Sequence, residues 1–141
     1  MSASSEPAMT VKDFMTENPQ VLSRTETLDL ADDIMTMGRI RHLPILEDGE
    51  LVGIISQRDM FRSAAVAALG FVGDTQRALI KTIRIKEIMT ENVVTISPDA
   101  SVKEAARIMI DKKIGCLPVV EAKKLIGIIT ETDILRYVVE R

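Results

Sequence analysis

The 141-residue sequence predicts an α+β fold made of two tandem β-α-β-β-α repeats, and three observations carry that prediction. Residues 11–62 align with residues 85–136 at a constant offset of 74 without a gap, and 19 of the 52 aligned positions are identical. In each copy a three-and-four apolar period is followed by two short apolar runs around a turn. The runs Leu51 to Ile55 and Leu125 to Ile129 are apolar almost throughout rather than alternating, so both faces of each sheet need cover. A unit of about 52 residues buries little surface by itself, so the copies are expected to pack through their sheets about a pseudo-twofold axis.

Residues 1–9 are Ser-rich and contain a proline, which predicts a flexible tail outside the fold. The tail lacks the positive start and apolar run of a secretory signal. The first repeat spans 10–62 and opens with a short helix from Val11 to Met15; the second spans 85–141 and opens with one from Ile85 to Met89. Each should stop near Asn18 or Asn92, because Asn tolerates the left-handed conformation after a helix end. Short strands follow at Val21 to Ser23 and Val94 to Ile96.

An amphipathic helix comes next, with apolar positions Leu28, Ala31, Ile34 and Met35 in the first copy and Val102, Ala105, Ala106, Ile108 and Met109 in the second. Ser101 and Glu104 have capping-box spacing at its start. Hairpins pair His42–Leu46 with Leu51–Ser56 around Asp48-Gly49, and Cys116–Val120 with Leu125–Thr130 around Ala122-Lys123. A last helix begins near Gln57 or Glu131. Between the repeats, 63–84 reads as a helical insert and linker. Ser63 to Leu69 extends the preceding helix, Gly70 stops it, and Asp74 caps a second helix through Lys81. Packing on the module's flank is its expected role, in preference to a dedicated partner surface.

Composition narrows the function classes. The single cysteine, Cys116, excludes an internal disulfide, and with His42 the only histidine a Cys/His zinc site within the chain is excluded too. A reducing, cytoplasmic setting is expected. The longest apolar stretch away from the ends, Ala64 to Leu69, is far shorter than the ~20 residues that span a bilayer. Net charge is -3 and only four aromatics occur, Phe14, Phe61, Phe71 and Tyr137, so neither a basic footprint nor a stacking platform for nucleic acid is present.

Two matched pairs carry the candidate chemistry. Ser56 with Asp59, and Thr130 with Asp133, place a hydroxyl and a carboxylate where a Gly-Ile-Ile strand meets a helix. A carboxylate there can accept both hydroxyls of a ribose, while the hydroxyl and free helix N–H groups suit phosphate. Equally open is a local role, with Ser56 and Thr130 as N-caps and the acids complementing the helix dipole. No protein partner for either acid is evident nearby in sequence. Arg41 and His42 set two potential cations beside the first hairpin, or simply a solvated charge and a half-buried imidazole. The second copy has Gly115 and Cys116 there, so the two halves cannot bind a phosphate chain identically. Cys116, with no histidine in its repeat and apolar strand neighbours, reads as an inert thiol. The eight methionines read as core filler. No carboxylate pair has spacing that singles out acid/base work.

The segments "FMTENPQVLS", "RIRHLPIL" and "LVGIISQRD", seen again as "IMTENVVTIS", "AARIMIDKKIGCLPVV" and "LIGIITETD", resemble a tandem pair of CBS (cystathionine β-synthase) domains, together called a Bateman module. The resemblance covers 11–62 and 85–136. It implies two clefts between the repeats that bind adenosine derivatives such as AMP, ADP, ATP or S-adenosylmethionine as regulatory ligands, with no cofactor required. Carried over position by position, it implies ribose binding by Asp59 and Asp133, and phosphate binding by Ser56, Thr130, Arg41, His42 and Arg58. It further implies an adenine pocket lined by Gln20, Val21, Ile45, Val94, Thr95 and Val119. The departure at Gly115 and Cys116 puts polyphosphate binding through the second copy in doubt.

The resemblance also implies a homodimer of modules and a non-enzymatic sensor acting on an unidentified target protein, expected to stand alone; charge and apolar run length predict no nucleic-acid or membrane partner. A purely structural dimerisation module with empty clefts is the main alternative. An enzyme is disfavoured because no nucleophile, metal or base constellation is complete.

Overall fold

The structure, a computed structural model, describes residues 9–62 and 74–140. The expected helix from Ser63 to Leu69 and its stop at Gly70 lie outside the described residues, as does most of the tail. Two compact units emerge, and they do not follow the order of the repeats: one is formed by 20–93, the other by the chain up to Pro19 together with Val94 onward.

In the 20–93 unit, β2 (Leu22–Ser23) runs parallel to β3 (His42–Glu47), which pairs antiparallel with β4 (Glu50–Ser56), in the order β2-β3-β4. Helices α2 (Leu28–Gly38), α3 (Gln57–Arg62) and α4 (Asp74–Ile80) accompany it, with a 3-10 turn at Ile85–Glu87. Leu28, Ala31 and Met35, the apolar stripe of α2, pack with Leu43, Ile45, Ile55 and Met60 in one buried core. Helix α4 joins its flank: Ile80 is buried in the same core, and the Arg77 guanidinium reaches Asp33 at 2.8 Å and Asp32 at 3.6 Å on α2. Arg77's hydrogen bond holds the Asp33 carboxyl below its ordinary pKa, whereas burial pushes Asp32 up.

The other unit has the order β1-β6-β5: β1 (Thr16–Glu17), β6 (Lys124–Thr130) and β5 (Cys116–Glu121), all antiparallel neighbours. It carries α1 (Val11–Phe14), α5 (Val102–Lys112) and α6 (Glu131–Glu140). Val11, Phe14, Val102, Ala105, Leu117, Val119 and Ile129 form its core, with Phe14 edge-on to Tyr137 at 5.3 Å. Ser101 Oγ accepts from the Glu104 N–H at 3.0 Å, the forward half of the expected capping box.

The unit boundaries reflect an exchange of opening segments. Thr16 and Glu17, from the first repeat, pair with Ile128 and Gly127 of the second. In mirror fashion Thr90 of the second repeat exchanges both backbone hydrogen bonds with Ile54 of the first, at 3.0 and 2.9 Å. Glycine makes room for both crossings: a Cβ on Gly127 would lie 2.6 Å from Met15 Sδ and 2.9 Å from the Thr16 carbonyl oxygen, and one on Gly53 would lie 2.6 Å from Met89 Sδ.

Several local expectations need correction. The opening helix ends at Phe14, with Met15 already extended, and the second copy has only the 3-10 turn. Asn18 is left-handed (φ 49°), but it follows β1 rather than a helix end, and Asn92 does not share that conformation. The helices α2 and α5 close instead on left-handed Arg39 and Lys113. The strand expected at Val94 to Ile96 shrinks to one parallel bridge, Ile96 with Val119. Pro98, where the first copy has Arg24, offers no N–H to carry that ladder further.

Two substitutions test this account. Gly127→Ala is expected to destabilise the fold by about 1–3 kcal/mol, since Met15 and a backbone carbonyl must both yield. Lys123→Gly should stabilise it by about 0.5–1 kcal/mol, because the second hairpin turns through left-handed Ala122 and Lys123 (φ 52° and 67°) where the first has Asp48-Gly49. Urea titration reads both; an unchanged midpoint for Gly127→Ala would contradict the close approach.

Candidate functional site

Strand register gathers the candidate residues at one end of each sheet. In the 20–93 unit Leu22 lies opposite Ile45 in a parallel pair, so Gln20 and Val21 enter beside the start of β3. His42 opens β3 directly opposite Ser56, the last residue of β4. The Gln57 N–H donates to the Arg41 carbonyl at 2.8 Å, tying the start of α3 to the same end. Gln20, Val21, Arg41, His42, Ser56, Arg58 and Asp59 are thus brought together from three strand ends. In the second unit the same register places Val94 and Thr95 ahead of Ile96, pairs Cys116 with Thr130, and bonds the Glu131 N–H to the Gly115 carbonyl at 3.1 Å.

The two ends differ in how their acids are held. Ser56 Oγ accepts from the Asp59 N–H at 3.0 Å and so caps α3, leaving Asp59 on the exposed surface with Arg41 and Arg58; His42 is half-buried. At the other end the acid does the capping. Asp133 is 2% exposed; one carboxylate oxygen accepts from the Thr130 N–H at 3.0 Å and hydroxyl at 3.3 Å, and the other accepts from Arg136 at 2.8 Å. The same Arg136 nitrogen donates to the Phe14 carbonyl at 2.9 Å. Asp133 therefore has close protein partners, contrary to the expectation from sequence. One signal could have exposed the contact: Arg136 and Arg62 are an identical pair in the repeat, three residues after each acid, at the spacing of a helical ion pair.

The candidate adenine-pocket residues differ in burial. Ile45 and Val119 are fully buried in the cores of their units. Gln20, Val21 and Thr95 are exposed and Val94 is half-buried, all at the strand-end positions. A further residue enters that the motif reading passed over: the Glu131 carboxylate lies over Gly115, so close that a Cβ at 115 would collide with it. The absence of a side chain at 115 is what admits an acid there, at the position matching Arg41.

Among the described residues no cluster of three His, Cys, Asp or Glu side chains is arranged to hold a metal ion. Burial pushes the Cys116 thiol far above the ordinary range, and the nearby Asp133 charge adds to the shift. The folded protein is therefore expected to leave Cys116 unlabelled by a thiol-disulfide reagent at pH 8, with one equivalent reacting after denaturation; rapid labelling of the native state would show the thiol to be accessible.

Comparison with known proteins adds independent evidence. The CBS domain family model matches residues 11–65 and 85–140. A CBS domain-containing protein of Dictyostelium discoideum is 32% identical over 127 residues, covering 89% of this chain and 88% of its own. A homoserine O-acetyltransferase of Methanohalobium evestigatum is 33% identical over 132 residues, and there the chain spans 92% of itself but only 24% of the relative. Among solved structures, the CBS domain pair of protein MJ0100, in complex with 5'-methylthioadenosine and S-adenosyl-L-methionine, superposes with a TM-score of 0.79 at 32% identity, over 95% of this chain and 98% of that one. CBSX2 of Arabidopsis thaliana, solved with AMP, superposes with a TM-score of 0.79 at 26% identity, over 94% and 97%. With the repeat, the register and the family model in agreement over both copies, the chain belongs to the CBS domain family.

Proposed function

We propose that this protein is a regulatory module that binds adenosine nucleotides and passes their occupancy to a separate target protein, without catalysis of its own. One observation carries the reading: strand register assembles a hydroxyl, an exposed acid and two arginines, Ser56, Asp59, Arg41 and Arg58, at a single sheet end. Asp59 would accept ribose hydroxyls, Ser56 and the arginines would meet phosphate, and Gln20 and Val21 would border the base. The matching end offers Thr130 and Asp133 in the same roles, bordered by Val94 and Thr95. Known ligands of similar CBS pairs, AMP and the S-adenosylmethionine group, support this class of ligand.

The assembly we propose is a homodimer. On α5 and α6, which pack against each other, Ile110 is 75% exposed, Leu135 65%, Val138 58% and Val139 82%, an apolar cost that a second copy would remove. The proposed setting is cytoplasmic, in keeping with a reduced, buried Cys116; no helix among the described residues is long and apolar enough to cross a membrane. A ligand acts on the target only through unequal affinity for two arrangements of the module.

Thermal unfolding with AMP, ATP and S-adenosylmethionine tests the reading. Ligand at 100 times its Kd should add about 2.7 kcal/mol per site, a rise of roughly 5–10 °C for a chain of this size. Asp59→Asn should reduce the rise while leaving the unliganded melting temperature nearly unchanged, because Asp59 is exposed; Asp133→Asn should lower the unliganded value too, because it breaks contacts to Thr130 and Arg136. Arg41→Ala should weaken ATP more than adenosine. No shift with any adenosine compound would favour the purely structural module.

A further inference from the structure

We infer that the two strand ends divide adenosine ligands by charge: the end carrying Asp59 takes phosphorylated nucleotides, and the end carrying Asp133 takes neutral or cationic nucleosides such as a sulfonium. The inference rests on the nucleotide-binding reading above and adds the ligand class of each end.

Matched positions of the repeat, placed by the same register, change character together. Arg41 becomes Gly115, His42 becomes Cys116, Gln57 becomes Glu131, and Arg58 becomes Thr132, around an acid common to both. Across these positions the first end carries two arginines against one aspartate, whereas the second carries two acids and no cation. The shift is spatial as well as formal, because the Glu131 carboxylate occupies the volume over Gly115. A phosphate brought there would meet a carboxylate instead of a guanidinium, while a sulfonium or ammonium would be attracted.

The nearest cation to Asp133 does not restore a phosphate site. Arg136 is committed to the buried Asp133 at 2.8 Å and to the Phe14 carbonyl at 2.9 Å, so turning it toward a phosphate would strand a buried carboxylate. Lys113, two residues before Gly115, has Arg39 as its counterpart, so that position favours neither end.

Calorimetric titration of the full chain with ATP and with S-adenosylmethionine tests the division, on the natural sequence and on the variants Asp59→Asn, Asp133→Asn and Glu131→Gln. Asp59→Asn should weaken ATP at least tenfold and S-adenosylmethionine less than threefold, and Asp133→Asn should do the reverse. Since Asp133→Asn also removes structural contacts, Glu131→Gln is the decisive variant: it should weaken S-adenosylmethionine about three- to tenfold and leave ATP equal or tighter. The division is overturned if Glu131→Gln leaves both ligands unchanged or weakens both equally, or if Asp59→Asn weakens them alike, even while nucleotide binding itself stands. If the natural sequence binds neither compound, the nucleotide-binding reading falls, and the division with it.

Discussion

Each sheet of this protein is completed by a piece of the other repeat, and the rest of the structure depends on that exchange. The contact is small: a two-residue antiparallel pair at Thr16 and Glu17, and a single mirrored bridge at Thr90. Its geometry is demanding, because a backbone and a methionine must lie directly on a strand. Gly127 and Gly53 permit this by presenting no Cβ beneath Met15 and Met89. The exchanged segments also bury Val11 and Ile85 completely, which links the crossing to the cores it serves. A repeat cut out at its own sequence boundaries would lose this cover, so the duplication is a structural requirement as well as a record of ancestry.

From that framework follows the position of the candidate site. A parallel strand entering beside an antiparallel hairpin puts the starts of two strands and the end of a third at one edge, and three separate stretches of sequence therefore meet there. Such convergence needs no unusual residues. It needs register, and register here is set by the buried faces of Leu43, Ile45 and Ile55 in one unit and Leu117, Val119 and Ile129 in the other. A slip of one residue in either hairpin would displace these packed side chains and scatter the site.

Duplication then allows the two ends to diverge. Both keep an acid three residues after a strand-end hydroxyl, yet the hydroxyl caps the helix in one copy and the acid caps it in the other. The first arrangement leaves Asp59 on the surface; the second ties a buried Asp133 to the half-exposed Arg136 and, through it, to the end of α1. One motif thus gives two local arrangements, a hydroxyl cap with an exposed acid and a buried acid held by its own neighbours.

The repeat, the amphipathic stripe of α2 and α5, the two hairpins and the residue types at the strand ends are legible along the chain, because each leaves a short-range pattern: a fixed offset, a helical period, or apolar runs around a turn. The departure at Gly115 and Cys116 was equally visible. The rest depends on contacts between distant parts of the chain. Segment exchange leaves no local trace, since the pairing of Thr16 with Ile128 spans most of the chain and depends on which sheet edge is free. The shortened second strand turned on one missing N–H at Pro98, whose effect depends on the partner strand beside it. The burial of Ile45 and Val119, the hold of Arg136 on Asp133, and the Glu131 carboxylate above Gly115 were likewise hidden. A side chain's exposure and its partner are set by what packs around it, and spacing along a chain carries no information about a neighbour that arrives from over a hundred residues away, as Phe14 does at Arg136.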